Sequence, residues 1–283
     1  MSGLFCFGLG YSAGFLARAL AGQGWRIAGT ARDELAHRDF ALRRFARAHP
    51  VADLDAALAG MTHLLLSIPP DQAGDPVLDC HGTALAARKD LRWVGYLSST
   101  AVYGDRGGAW VDEEAALAPA GERGRRRAAA EAGWLALQRE HGLPVQIFRL
   151  AGIYGPERSA LDALRQGRAQ RIEKPGTVFS RIHIEDLVQV LAASMLQPRP
   201  GRIYNVCDDE PAPPGEVVEF AAALIGRPPP PKLSFADATL SPMARSFYDD
   251  NKRVANRRIK DELGVKLLYP SYRQGLAALN RTA

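Results

Sequence analysis

Cysteine is scarce in this sequence, and long apolar runs are missing. The three cysteines, Cys6, Cys80 and Cys207, lie far apart, so they fit neither the spacing of a metal site nor a disulfide framework. No apolar run approaches the ~20 residues that a membrane-spanning helix needs. The first predicted strand begins at residue 4, which leaves no room for a signal peptide. We therefore expect a cytoplasmic protein without a metal site and without a membrane partner.

Basic residues outnumber acidic ones, and the formal net charge is +5. The basic residues are spread along the chain, with local clusters at 123–127 and 252–260. The second cluster has the periodicity of an amphipathic helix over 251–264 that ends at a glycine. No aromatic residues interleave with the basic ones as they do in nucleic-acid-binding modules. The pattern favours a solvated basic surface and predicts no nucleic-acid partner.

The start of the chain combines a short apolar run, closely spaced glycines and a helical pattern. Residues 4–7 predict a buried strand, Gly8 and Gly10 follow it, and apolar residues then recur at helical spacing through residue 20. Strand, glycine turn and helix in this order are typical of a dinucleotide-binding unit. Gly8 permits the turn, Gly10 lets the backbone approach a pyrophosphate, and the helix start at Tyr11, Ser12 and Ala13 supplies N–H groups and close packing. A glycine-rich turn without a ligand is the alternative.

The end of the second predicted strand, 25–30, indicates which dinucleotide is accepted. An acidic residue there hydrogen-bonds the ribose 2′-hydroxyl of NAD. Here Ala31 takes that place and Arg32 follows, where a guanidinium can pair with a 2′-phosphate. We therefore predict NADP as the cofactor. A shift of register would place Asp33 at the acidic position, and the protein would then prefer NAD. The alternative for Arg32 is that it is an ordinary surface residue.

Two further strands are predicted before residue 100, with a polar, arginine-rich helical segment through residue 48 ahead of them. The strand at 62–68 ends at two prolines, so Ile68 and Pro69 are expected to pass over the cofactor, since ligands of open α/β sheets bind beyond the carboxyl ends of strands. The strand at 92–98 leads into Ser98 and Ser99. Both serines therefore enter the candidate site, Ser98 toward the cofactor.

Five segments together resemble an extended short-chain dehydrogenase/reductase, the group that includes nucleotide-sugar epimerases and dehydratases. They occur in family order at residues 8–14, 98–104, 149–156, 181–187 and 204–206. The resemblance implies an α/β fold with a Rossmann-like, doubly wound parallel sheet and a smaller C-terminal substrate lobe. We expect a dinucleotide-binding domain at 1–150 and the substrate lobe at 151–283, with 177–206 returning to the main sheet.

The chain departs from the family at the catalytic pair. Ser99 fills the place of the Ser or Thr that hydrogen-bonds the reacting oxygen in the family. The family's Tyr-x-x-x-Lys, however, corresponds to Arg123 and Arg127. Arginine stays protonated in proteins, so Arg123 cannot exchange a proton near neutral pH, although it can bind an anionic group. The resemblance is thus to an atypical member, in which Arg127 contacts ribose or phosphate. Solvated arginines on an exposed helix face are the alternative.

The substrate side also deviates. Gly152 stands near the place of a family asparagine, and Phe179 stands where epimerases carry an arginine for a nucleotide diphosphate. Arg181 lies two residues on, and so on the same face of a strand, which makes it a candidate substrate ligand. Candidate replacement acids, each with a packing role as its alternative, are Tyr103, Tyr154 and His183.

Two functional hypotheses follow. The first is an NADP-dependent oxidoreductase or epimerase-like enzyme with a displaced acid–base group, acting on a small or nucleotide-linked carbonyl or hydroxyl substrate that carries an anionic group. The second is a non-catalytic NADP-binding sensor or regulatory protein. The feature that separates them is a proton donor within the ~3 Å that acid catalysis requires. The sequence leaves the substrate, the reaction direction and the oligomeric state open.

Overall fold

The computed structural model describes residues 2–32 and 39–281. The chain divides into two compact units. Unit 1 comprises residues 1–99, 122–149 and 188–204, and unit 2 comprises 100–121, 150–187 and 205–283. The division into domains at residue 150 stays a prediction. Within the described ranges, no helix combines the length and apolar character required to cross a membrane.

The strands and helices are numbered in chain order. The strands are β1 (Gly3–Phe7), β2 (Arg26–Ala31), β3 (Ala41–Arg44), β4 (His63–Leu66), β5 (Trp93–Ser99), β6 (Trp110–Val111), β7 (Val145–Leu150), β8 (Gly152–Tyr154), β9 (Arg171–Glu173), β10 (Arg181–His183), β11 (Ile203–Val206), β12 (Lys232–Ser234) and β13 (Arg253–Val254). The helices are α1 (Tyr11–Ala21), α2 (Leu54–Leu58), α3 (Pro76–Ala87), α4 (Glu122–His141), α5 (Ala160–Arg165), α6 (Ile184–Leu196), α7 (Pro214–Leu224), α8 (Pro242–Ser246), α9 (Arg257–Leu263) and α10 (Tyr272–Arg281).

A seven-stranded sheet in the order β11-β7-β5-β4-β1-β2-β3 forms the centre of unit 1. The pairs β1–β2, β1–β4, β2–β3 and β4–β5 are parallel. The apolar runs of β1, β4 and β7 are buried along their whole length, as expected for strands that helices cover on both faces. The order confirms the predicted Rossmann-like α/β fold.

Part of the arginine-rich segment predicted as helical differs from its prediction. Its residues 33–38 lie outside the part of the chain that the structure describes. Residues 41–44 form the edge strand β3, which pairs with β2 from Ala28↔Ala41 to Ala31↔Arg44. Most side chains of β3 are exposed. Its sequence therefore lacks the alternation of apolar and polar residues by which a half-buried strand is recognised. Phe45 follows β3 directly and packs in the core against Phe7 at 5.8 Å, and its N–H donates to the carbonyl of Ala31. Pairing with β2 and this one anchor outweigh the local helical preference.

Unit 2 has a small core under short sheets. Its strand pairs β10–β8, β12–β9 and β13–β6 are all parallel. Helices α5, α7 and α10 contribute the buried residues Leu161, Val217 and Leu276 to one apolar cluster, together with Tyr154 of β8. The helix predicted over 251–264 is shorter in the structure. The start of this segment contains strand β13, and only α9 is helical. Gly264 does cap α9, with a φ of 65°.

Candidate dinucleotide site and unit 2 cavity

The turn between β1 and α1 has the geometry that the glycines predict. Gly8 has a φ of +88°, and its N–H donates to the Thr30 hydroxyl at 3.0 Å. A Cβ on Gly8 would lie 2.7 Å from Ile68 Cγ1, so glycine is required by both conformation and space. The predicted contact residues Gly8, Gly10, Tyr11, Ser12 and Ala13 all lie in this turn or in the first turn of α1.

Gly10 differs from Gly8 in what surrounds it. It is the N-cap of α1, its φ is −95°, and a Cβ built on it would meet no atom of a described residue within 4 Å. Among the described residues no side chain caps the helix start by a hydrogen bond, and no acidic residue lies in the first turn of the helix. The side chains of Ala13 and Leu16, on the inner face of α1, are buried. The positive end of the helix is therefore uncovered at Gly10 as far as the described residues go, an arrangement that suits an anion such as a pyrophosphate.

Three arginines gather at the carboxyl ends of β2 and β3. Arg32 follows the last residue of β2 and is exposed. In the register of the two strands, Thr30 pairs with Arg43 and Ala31 with Arg44, and both arginines are exposed. Asp33, on which the alternative preference for NAD rests, lies outside the described residues. Sequence reasoning missed Arg43 and Arg44 because their segment reads as a helix.

The loop after β4 lies against the glycine turn. Ser67 donates its N–H to the Phe7 carbonyl at 3.0 Å and its hydroxyl to the Gly8 carbonyl. Ile68 is half-buried beside Gly8, and Pro69 is exposed. Farther along, an ion-pair network holds the loop through Arg47, whose Nε lies 2.9 Å from Asp71 and whose Nη1 lies 2.6 Å from Asp79. No motif pointed to this network.

The end of β5 meets the middle of α4 through buried polar groups. The Ser98 hydroxyl donates to Glu131 Oε1 at 2.5 Å, and Glu131 pairs with Arg149 at 2.8 Å. Arg127 is also buried, and its Nη1 donates to the Leu97 carbonyl. Ser98 thus takes part in a closed network that also fixes α4 on the sheet.

The two positions expected to act on substrate from this unit are more accessible. Ser99 is half-buried at the last position of β5. Arg123 is exposed in the first turn of α4, one turn ahead of Arg127. Its neighbours Arg125 and Arg126 pair with Glu122, at 2.9 and 3.0 Å. The place of the family tyrosine is therefore occupied by an exposed guanidinium.

The candidate replacement acids all belong to unit 2. Tyr103 is fully buried, and its hydroxyl donates to Asn205 Oδ1 at 2.7 Å. Tyr154 is 7% exposed, and burial raises the pKa of its phenol above the ordinary value. Its ring packs edge-on against His183, with 5.1 Å between centroids. The Tyr154 phenol therefore remains protonated near neutral pH.

His183 is 1% exposed and lies between two tyrosine rings, Tyr154 and, at 4.1 Å, Tyr269. Its Nδ1 accepts the Glu185 N–H at 3.3 Å, while its buried Nε2 has no hydrogen-bond partner among the described residues. Burial lowers the pKa of this imidazole to about 4, so it is neutral at pH 7. Asp186 accepts the N–H groups of Leu268 and Tyr269 at 2.6 and 3.0 Å, which is a structural role.

A cavity of about 470 Å³ opens within unit 2, and Arg181 and Tyr154 lie on its wall. The Arg181 Nη1 donates to the carbonyls of Phe179 at 2.7 Å and Ala212 at 3.1 Å. Asp208 is buried nearby, and desolvation raises the pKa of its carboxyl to about 8. In the parts of the chain that the structure describes, no group of His, Cys, Asp and Glu side chains suits a metal ion.

Comparison with known proteins agrees with this architecture. Residues 83–207 match the NAD dependent epimerase/dehydratase family. Protein YeeZ of Escherichia coli (strain K12) is 30% identical over 93% of this chain and 94% of its own. The structure of a functionally unknown conserved protein from Silicibacter pomeroyi DSS is 54% identical, covers 100% of this chain and 99% of its own, and superposes with a TM-score of 0.92.

A more distant solved structure shares the fold. UDP-glucuronic acid 4-epimerase from Bacillus cereus, in complex with NAD, superposes with a TM-score of 0.78 at 15% identity, over 99% of this chain and 96% of its own. On the family match, the full-length similarity to YeeZ and the sheet described above, the chain belongs to the NAD dependent epimerase/dehydratase family.

Proposed function

We propose that the protein binds NADP(H) in unit 1 and acts as an oxidoreductase or epimerase-like enzyme on a small carbonyl or hydroxyl substrate. The observation that carries the proposal is the open space at Gly10, at the uncapped N-terminus of α1. The arginines at the ends of β2 and β3 favour a cofactor with a 2′-phosphate over one without. The NAD in the related Bacillus cereus epimerase supports a nicotinamide dinucleotide.

The residues present fit such a cofactor. Gly8, Gly10 and the N–H groups at the start of α1 would hold the pyrophosphate, Arg32 would pair with the 2′-phosphate, and Ile68 with Pro69 would flank the dinucleotide. When bound, the nicotinamide supplies or accepts a hydride. Arg127 would orient the ribose through guanidinium nitrogens other than the one bonded to Leu97.

The protein's own contribution to proton transfer differs from that of its family. Ser99 is half-buried and would donate a hydrogen bond to the reacting oxygen. Arg123 would hold an anionic group of the substrate, because a guanidinium neither supplies nor takes a proton near neutral pH. Tyr154 and His183 are the remaining candidate donors. At pH 7 the raised pKa of Tyr154 makes its phenol a weak acid, and the lowered pKa of His183 leaves its imidazole without the acidic proton, so we expect slow reduction of ordinary ketones.

A non-catalytic NADP sensor is the second candidate. It is favoured by one specific observation, the exposed Arg123 in the place of the family tyrosine. The two candidates share the cofactor and differ in turnover. A sensor would bind NADPH without consuming it in the presence of any substrate.

The test is a fluorescence titration of the full chain with NADPH and NADH. We expect NADPH to bind roughly ten- to a hundred-fold more tightly, since a charge-assisted pair is worth about 1.5–3 kcal/mol. Arg32→Ala should erase most of the difference. Arg26→Ala is the matched control, because Arg26 lies at the opposite end of β2 and donates to the Ala59 carbonyl. Equal affinities in the unmodified protein would refute the NADP assignment, and a ketone and sugar-nucleotide panel then separates enzyme from sensor.

A further inference from the structure

The cavity in unit 2 has the size and wall of a small-molecule site. Its volume of about 470 Å³ lies within the ~300–1,000 Å³ of ordinary ligand pockets. One side of the wall is apolar and is formed by Ala160 of α5, Val217 and Val218 of α7, and Leu276 of α10. These elements belong to the packed core of unit 2, so the pocket is preformed.

Arg181 brings a positive charge to the wall of this cavity. Both of its hydrogen bonds to described residues use Nη1, which donates to backbone carbonyls. Its Nε and Nη2 make no hydrogen bond to another described residue, and no described carboxylate lies within ion-pair distance of it. Asp208 interacts with Arg181 electrostatically, but burial raises the pKa of its carboxyl to about 8. The guanidinium on the cavity wall therefore makes no ion pair with a described carboxylate.

Four further charged residues line the cavity, namely Glu157, Arg158, Asp162 and Arg168, and all of them except Asp162 are exposed. Asp162 accepts the Ser159 N–H at 3.0 Å and the Ser159 hydroxyl at 2.5 Å in the cap of α5. The Arg168 Nε donates to Gln166 at 2.8 Å. A second polar group is unsatisfied, because the buried hydroxyl of Tyr272, also on the wall, has no hydrogen-bond partner among the described residues.

We propose that this cavity binds a small organic monoanion, a carboxylate with a compact apolar body. Arg181 Nε and Nη2 hold the carboxylate, the Tyr272 hydroxyl donates a further hydrogen bond to it, and the body lies on Val217, Val218 and Leu276. Arg181 is the half-buried cation of this wall, whereas Arg158 and Arg168 are exposed to solvent, so one desolvated guanidinium matches one negative charge. The site lies wholly within unit 2, so it does not rest on the proposed dinucleotide site.

The experiment is isothermal titration of the full chain at pH 7 with 3-phenylpropionate and indole-3-acetate. The comparison ligands are 3-phenylpropionamide, which lacks the charge, and uridine diphosphate. We expect one saturable site for at least one carboxylate and binding of the amide weaker by about ten- to a hundred-fold, as for loss of a charge-assisted pair. Arg181→Met should lower carboxylate affinity by the same factor. Arg245→Met is the matched control, because Arg245 is a partly buried arginine of unit 2 that donates to the Ala238 carbonyl and does not line the cavity.

A second variant covers the case in which Arg181→Met does not fold, since Arg181 also ties two backbone segments together. Val218→Trp adds an indole ring at another residue of the cavity wall and leaves Arg181 intact, and it should abolish binding. The proposal is overturned if neither carboxylate saturates at millimolar concentration. It is equally overturned if Val218→Trp binds like the parent, or if uridine diphosphate binds more tightly than both carboxylates. None of these outcomes depends on whether unit 1 binds NADPH.

Discussion

Glu131 on α4 and Arg149 on β7 form a buried ion pair, with 2.8 Å between Glu131 Oε2 and Arg149 Nη2 and side chains 2% and 3% exposed. Ser98 donates to the same carboxylate. A buried pair contributes little net stability over an apolar pair, but removing one partner leaves an uncompensated charge. The pair therefore fixes where α4, and with it Arg127, meets the end of β5.

Removing one member of this pair should destabilise the protein strongly. We expect Glu131→Ala to lower the free energy of unfolding by about 3–5 kcal/mol, measured by urea denaturation. Glu131→Leu combined with Arg149→Met should cost less than the single change. Glu122→Ala, which removes exposed pairs, should cost below about 1 kcal/mol. A loss for Glu131→Ala as small as that of the control would contradict the argument.

Substitution of Gly10 separates binding from folding. Gly10→Val should abolish dinucleotide binding, because the added side chain occupies the space in front of the helix N-terminus, and it should leave the melting temperature nearly unchanged, because a Cβ there meets nothing within 4 Å. Gly8→Val should instead unfold the protein, since its Cβ would lie 2.7 Å from Ile68 at a φ of +88°. Gly22→Ala at the end of α1 is the neutral control. Unchanged NADPH affinity in Gly10→Val would mean that the loop is only a turn.

Restoring the family pair tests whether only the proton donor has been lost. The double variant Arg123→Tyr with Arg127→Lys should gain reductase activity on some member of a broad ketone panel, because positioned acid catalysis contributes ~10²–10⁴-fold. NADPH consumption is the measurement. Arg125→Tyr, on the exposed side of the same helix turn, is the control and should gain nothing. Strong activity in the unmodified protein would refute the prediction and point to Tyr103, Tyr154 or His183 as the working acid.

The buried Asp208 makes stability depend on pH. Burial raises the pKa of its carboxyl to about 8. The negative charges of Asp209 and Glu210 raise this pKa further, and the positive charge of Arg181 lowers it. Between the unfolded pKa near 4 and the folded value, the unfolded chain releases this proton and the folded chain keeps it, so stability falls as pH rises through that window. Asp208→Asn should melt like the parent at pH 4 and higher than the parent at pH 8–9, by several degrees. A difference in melting temperature that is the same at all pH values would contradict it.

Elements with a complete local signal were predictable from the sequence. The glycine turn at residues 8–13, the buried strands β1, β4 and β5, and helix α1 combine apolar runs with breakers at their ends, and these determine backbone conformation over a few residues. The arginines in the Tyr-x-x-x-Lys places are likewise readable, because they depend on identity and spacing alone. The family and its α/β fold follow from those features.

Tertiary structure decided what depends on partners distant in the chain. The sequence predicted a helix where β3 pairs with β2, and this pairing is what brings Arg43 and Arg44 beside Arg32. It predicted one helix over 251–264, although Arg253 and Val254 pair with Trp110 and Val111 of β6. The place of Arg181 on the cavity wall and the neutral state of His183 depend on packing against residues far away in sequence. Strand pairing and desolvation both depend on the whole fold. The residues that take part show no local periodicity from which these effects could be predicted.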